Sequence, residues 1–172
     1  FVLLLVGDSL HAQPLVKLGL TENPGGQLEL SLLPDGYFDG SLSLSVISVR
    51  WETTPGVSVD SPPSVLPINM AWWAPVGPVI HSGITTDGIY SYASWYTFSL
   101  NAFGAANAWA PNVELPFFRV PYTNTSGACV DFEVVTDQFQ IDNNLAWFIS
   151  LSGEEKNDGF INGKELAVGN ST

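Results

Sequence analysis

The chain of 172 residues is expected to fold as one all-β domain, a β-sandwich or jelly roll of about nine strands with an apolar strand in front of it. Three observations predict this. Apolar residues recur at every second position in several stretches, the spacing that puts one face of a strand into a core. No long stretch keeps the 3.6-residue spacing of a buried helix. Twelve prolines and many Gly-containing turn dipeptides cut the chain into short pieces.

The first element is the run Phe1, Val2, Leu3, Leu4, Leu5, Val6, followed by Gly7-Asp8-Ser9-Leu10. It is far shorter than the roughly 20 apolar residues a bilayer span needs. Two readings are open. As the end of a secretory signal peptide, it would be cleaved near Ala12. As a strand of the mature protein, its apolar residues on both faces call for full burial against a neighbouring molecule. Under either reading the chain divides into an apolar segment, 1–13, and a sandwich domain, 14–172. Both point to export.

Val16–Leu20 is a short strand candidate. Gln27–Leu33 comes next, with Leu28, Leu30 and Leu32 on one side and Glu29 and Ser31 on the other. Ser41–Trp51 alternates Leu42, Leu44 and Val46 with serines, then changes phase to Ile47, Val49 and Trp51. One extra residue near Val46–Ile47, a β-bulge, would produce that change. Val65–Met70 is weaker. Ile89–Leu100 places Tyr90, Tyr92, Tyr96 and Phe98 in one phase. A helical turn is expected near Ala105–Ala110. Val113–Val120, Ala128–Val135, Leu145–Leu151 and Phe160–Val168 complete the set. Turns are read at 23–26, 34–36, 39–40, 87–88, 158–159 and 162–163, where Gly supplies positive φ and Asn or Asp tolerates it.

Charge narrows the function. The formal net charge is −12, with five Lys plus Arg against 17 Asp plus Glu. Such a chain repels phosphate backbones and anionic bilayers, so nucleic acid and membrane surfaces are excluded as partners. The lone Cys129, in the run Ala128-Cys129-Val130, is expected to be a buried, inert thiol. His11 and His81 belong to no nucleophile–base motif, and His81 is expected in a turn beside Gly83. With two His and one Cys the chain is too poor for a zinc site. The expectation is therefore a protein that is not an enzyme.

Other residues are candidates for binding. Trp72, Trp73, Tyr90, Tyr92 and Trp95 could form a surface that stacks on sugars or fills a partner's pocket. Glu154, Asn157 and Asp158 lie in a Gly-containing acidic turn and are weak candidates for calcium, the one cofactor considered. Asn124 and Asn170 open Asn-x-Ser/Thr patterns for N-glycosylation, and Ser9 sits in an Asp-Ser-apolar pattern for O-glycosylation.

Three segments carry a resemblance: Leu28-Glu29-Leu30 through Tyr37-Phe38-Asp39-Gly40 to Val49-Arg50-Trp51-Glu52, then Pro116-Phe117-Phe118-Arg119-Val120, then Ala146-Trp147-Phe148-Ile149-Ser150-Leu151-Ser152-Gly153. Together they resemble the cohesin-like and carbohydrate-binding-module-like sandwiches of exported Bacteroidetes proteins. The resemblance spans residues 15–165 in outline. It implies a role in adhesion, scaffolding or assembly and carries over no catalytic residue.

Two functions are expected on these grounds. The first is a structural subunit of an extracellular filament or pilus-like fibre. Its strand of Phe1–Val6 and Leu10 would insert into the next copy, so the partner is the protein itself. The alternative is a cell-surface adhesion or scaffold module that binds glycans or proteins.

Overall fold

The structure, a computed structural model, describes residues 13–60, 64–65, 79–98, 102 and 104–169. It is an all-β sandwich of two sheets. The smaller sheet runs in the order β12 (Asn157–Phe160), β1 (Val16–Asn23), β2 (Gln27–Pro34), β8 (Leu115–Asn124), β4 (Val57–Val59). All its pairings are antiparallel except β12 with β1. The larger sheet runs β11 (Glu154–Glu155), β10 (Phe148–Leu151), β3 (Leu42–Glu52), β7 (Tyr90–Phe98), β6 (Val79–Thr86), β5 (Ser64–Val65). β9 (Val130–Val134) and β13 (Glu165–Gly169) branch from it at β3.

The expected alternation builds the core. Val16, Leu18 and Leu20 of β1 and Leu28, Leu30 and Leu32 of β2 are all fully buried. They share one cluster with Ile47, Val49 and Trp51 of β3, Trp95 of β7, and Phe132 of β9. Rings join the layers: Trp95 meets Phe118 edge-on at 5.6 Å, and Tyr122 meets Phe132 at 5.0 Å. Across β2 and β8, Leu30 faces Phe118 while Ser31 faces Pro116, so Phe117 is the extra residue of a bulge. That is how two adjacent phenylalanines are both buried.

The packing is tight around Gly169, whose missing Cβ would lie 2.6 Å from the Phe132 ring and 3.0 Å from the Tyr122 ring. Gly169→Ala is therefore expected to overpack the core by about 1–3 kcal/mol. A lowered urea midpoint with an unchanged slope would register it.

The strands differ from expectation in several places. The pairing of β3 with β7 is unbroken from Leu44 to Glu52, so no bulge lies at Val46–Ile47. The irregularity sits near Ser43, where β10 shifts register between Ser150 and Leu151. Leu44 and Val46 consequently point away from the core, half-buried on the outer face. β4, β6, β11 and β12 are additional strands, β11 pairing with β10 and β12 with β1. Of the expected strand Phe160–Val168, Phe160 ends β12, the Asn162-Gly163 turn follows, and only the last part lies in β13. The helical turn is a 3-10 turn at Ala105–Asn107, within the expected stretch. His81 lies within β6, at the register shift before Gly83, not in a turn. Of Val65–Met70, only Val65 falls among the described residues.

The connection from β9 to β10 interrupts the larger sheet. Both strands lie on the same side of β3: β10 along Leu42–Val46, β9 at Arg50. Between them the chain leaves the sheet and forms α1 (Gln138–Asp142). The gap is closed by Ser48, whose hydroxyl donates to the Leu145 carbonyl at 2.6 Å and lies 2.8 Å from the Ser94 hydroxyl.

Candidate functional site

The outer face of the larger sheet is apolar where its outward phase is Leu, Val, Phe and Tyr. Register places Phe148, Val46, Tyr96 and Ile80 in one row across β10, β3, β7 and β6. Leu44 and Phe98 form the next pair, and Phe98 is 62% exposed.

α1 stands at one end of this face. A capping box starts it: Asp137 Oδ1 accepts from Gln140 N at 2.9 Å, and Gln140 Oε1 accepts from Asp137 N at 3.0 Å. Phe139 stacks on Tyr92 at 4.7 Å and so covers it. Between α1 and β10–β12 runs a groove of about 510 Å³. Leu44, Val46 and Phe148 line it from the sheet, Ile141 from α1, and Glu155 and Asn157 from the far side.

Arg50 fastens this end. Its Nη1 donates to Asp137 Oδ2 at 2.6 Å, and its Nε and Nη2 both reach Glu133 Oε2 at 2.9 Å. The guanidinium carbon lies 4.3 Å from the centre of the Tyr90 ring, a cation–π contact. Lys164 pairs with the other Glu133 oxygen. The Tyr92 hydroxyl donates to Asp87 Oδ2 at 2.8 Å and lies 3.1 Å from Asp137 Oδ2. Burial raises the Tyr92 pKa, and the two carboxylates raise it further, so the phenol stays protonated. Burial pushes Glu133 up, but the hydrogen bonds from Lys164 and Arg50 outweigh it and hold the carboxyl below its usual range. Backbone N–H groups of Tyr90 and Ile89 lower Asp87.

Several expected site residues are placed elsewhere. Trp95 is buried between the sheets and Tyr92 lies under Phe139, so neither offers a free ring face. Tyr90 is half-buried beneath Arg50. Phe1–Val6, Ser9, Leu10, Trp72, Trp73 and Asn170 lie outside the described residues. Asn124 is 2% exposed, and its Nδ2 donates to the Ala128 carbonyl at 2.7 Å, so the fold leaves that sequon's nitrogen no room for a glycan. Cys129 is exposed, at a hollow it shares with Glu52, Asp131 and Glu133, because it ends a turn before β9 begins. Glu154 pairs with Lys156 at 2.9 Å and Asp158 with Lys17 at 3.8 Å. Asn157 faces the groove. Among the described residues no three His, Cys, Asp or Glu gather as a metal site would require. His81 Nδ1 accepts from Gly83 N at 3.1 Å, and its ring packs on Trp95.

Arg50, Asp137, Gln140 and Ile141 shape this face although no functional motif marks them. Asp137-Gln138-Phe139-Gln140 does carry the N-terminal helix signal, Asp with Gln three residues on. No protein-family model matches the chain, and no curated protein or solved structure does.

Proposed function

We propose that this domain is a non-catalytic structural subunit of an extracellular filament or pilus-like fibre. The apolar strand Phe1–Val6, with Leu10, of one copy adds to a sheet of the next. A head-to-tail contact of this kind does not close and so continues as a fibre.

The outer edge of β6 carries the reading. Only Val79 and Ile80 pair there, with β5, so from Gly83 to Thr86 no described strand lies along it. Ile84 is 47% exposed on that stretch, and Ile89, in the turn to β7, is 66% exposed. An incoming apolar strand would gain main-chain hydrogen bonds and cover both side chains. A donor whose first six residues carry no charged side chain also suits a body of net charge −12, whose copies repel one another.

Deleting residues 1–12 is expected to leave soluble monomers, while the full chain forms fibres that lengthen as added salt screens the repulsion. Sedimentation and negative-stain microscopy would monitor both. Fibres of undiminished length from the deleted chain would remove the donor strand from the account.

A second reading is a cell-surface adhesion or scaffold module for glycans or proteins, akin to the cohesin-like sandwiches; its protein-binding form is favoured by the groove beside α1.

A further inference from the structure

We propose that the groove between α1 and β10–β12 docks a short extended segment of a different protein, one carrying aliphatic side chains next to lysine or arginine.

The floor selects the aliphatic part. Leu44 and Val46 reach it because the outward phase of β3 is apolar there, and Phe148 of β10 lies beside Val46 in register. Ile141, on the α1 wall, is 52% exposed with no described side chain covering that half. A sugar would need an exposed flat ring. Of the two aromatic residues in the lining, Trp147 is 5% exposed, so its ring faces are already taken by the protein, and Phe148 is half-buried beside Val46. Branched aliphatic walls fit branched aliphatic side chains. Thr136 and Asn144, both exposed at the rim, can hydrogen-bond an extended backbone.

Charge selects the rest. The five Lys and Arg of the chain are all engaged within it. Lys17 pairs with Asp158, Arg50 with Glu133 and Asp137, Arg119 with Glu29, Lys156 with Glu154, and Lys164 with Glu133. Glu155, exposed on the groove wall, has no cation within ion-pair distance among the described residues. A second copy brings twelve excess negative charges and no uncommitted Lys or Arg, so it is a poor source for this contact. A basic segment from another protein supplies the missing charge and is drawn in by the surrounding acidic field. This docking goes beyond the filament reading, because the groove and the free edge of β6 are formed by different residues and can be tested separately.

The full chain would be titrated calorimetrically with a synthetic peptide in which Leu and Ile alternate with Lys and Thr. A second peptide would have every Lys replaced by Glu, and a panel of soluble oligosaccharides would be run beside them. The lysine peptide is expected to bind at least about tenfold more tightly than its glutamate counterpart. Ile141→Ala and Glu155→Gln should each weaken it by roughly threefold to tenfold. Both positions are exposed, so both variants should keep the parent's melting temperature. Absence of binding by the lysine peptide at millimolar concentration would overturn the proposal. So would equal affinity for the two peptides, unchanged affinity in both variants, or an oligosaccharide whose binding is lost in Ile141→Ala.

Discussion

Replacing Trp95 by alanine is expected to lower the stability of the domain by about 3–5 kcal/mol. That is a large part of the roughly 5–15 kcal/mol that holds a domain folded. The indole lies on the inner face of β7, 1% exposed, in edge contact with Phe118 of the opposite sheet and 5.5 Å from the His81 ring. It is therefore a tie between layers as well as buried area. Ile47, its partner on β3, is fixed by the ladder and, with the rest of the core cluster, cannot collapse far into the space it leaves. Urea unfolding monitored by far-ultraviolet circular dichroism gives the loss directly. A loss below about 1 kcal/mol, the size common for surface positions, would show that the layers do not depend on this ring.

Arg50→Met should be the most damaging change to a charged residue, at about 2–3 kcal/mol. Breaking a fully buried pair costs more, but the side chains of Arg50, Glu133 and Asp137 are 17%, 15% and 23% exposed, so water screens part of the effect. The variant strands Asp137 beneath the Tyr92 hydroxyl and leaves Glu133 with Lys164 alone. The effect depends on pH. Glu133 has its folded pKa below the unfolded value of 4.5. Its share of stability is therefore complete above that value and disappears as pH falls through it towards the lower folded value. The gap between wild type and Arg50→Met should narrow over that window. A gap that stays constant from about pH 7 to about pH 3, a range spanning the carboxylate titration, would mean that Arg50 acts through packing on Tyr90 rather than through its carboxylates.

Much of the sandwich can be read directly from the chain, because burial on one face imposes alternation. Leu28, Leu30 and Leu32, or Val130, Phe132 and Val134, have no other arrangement that hides them all. Strands without that constraint are not legible. β6, with Ser82, Gly83, Thr85 and Thr86, has no described strand along its outer side from Gly83 on and alternates in nothing. The tyrosine phase of β7 is a subtler case. Alternation separates Tyr92 from Trp95 but does not say which side is inside, and here both are covered: Trp95 by the opposite sheet, Tyr92 by Phe139. α1 is a single capped turn, too short for periodicity, though Asp137 and Gln140 announce its start. Local composition misplaces Cys129 and Asn124. Apolar neighbours do not bury a thiol that closes a turn, and a polar sequon does not keep an asparagine at the surface once its amide is needed to hold that turn.

The gap in the ladder along β3 has a consequence for how such a protein can diversify. β9 and β10 are each anchored on β3 by their own pairings, so the stretch from 135 to 147 bears little of the sheet's connectivity. Its exposed residues, 141–144, could be lengthened, shortened or exchanged while Asp137, Gln140 and Trp147 hold the stretch in place and the two layers stay in register. Because it also forms one wall of the groove, new recognition specificities could be grafted there as a cassette on an unchanged frame.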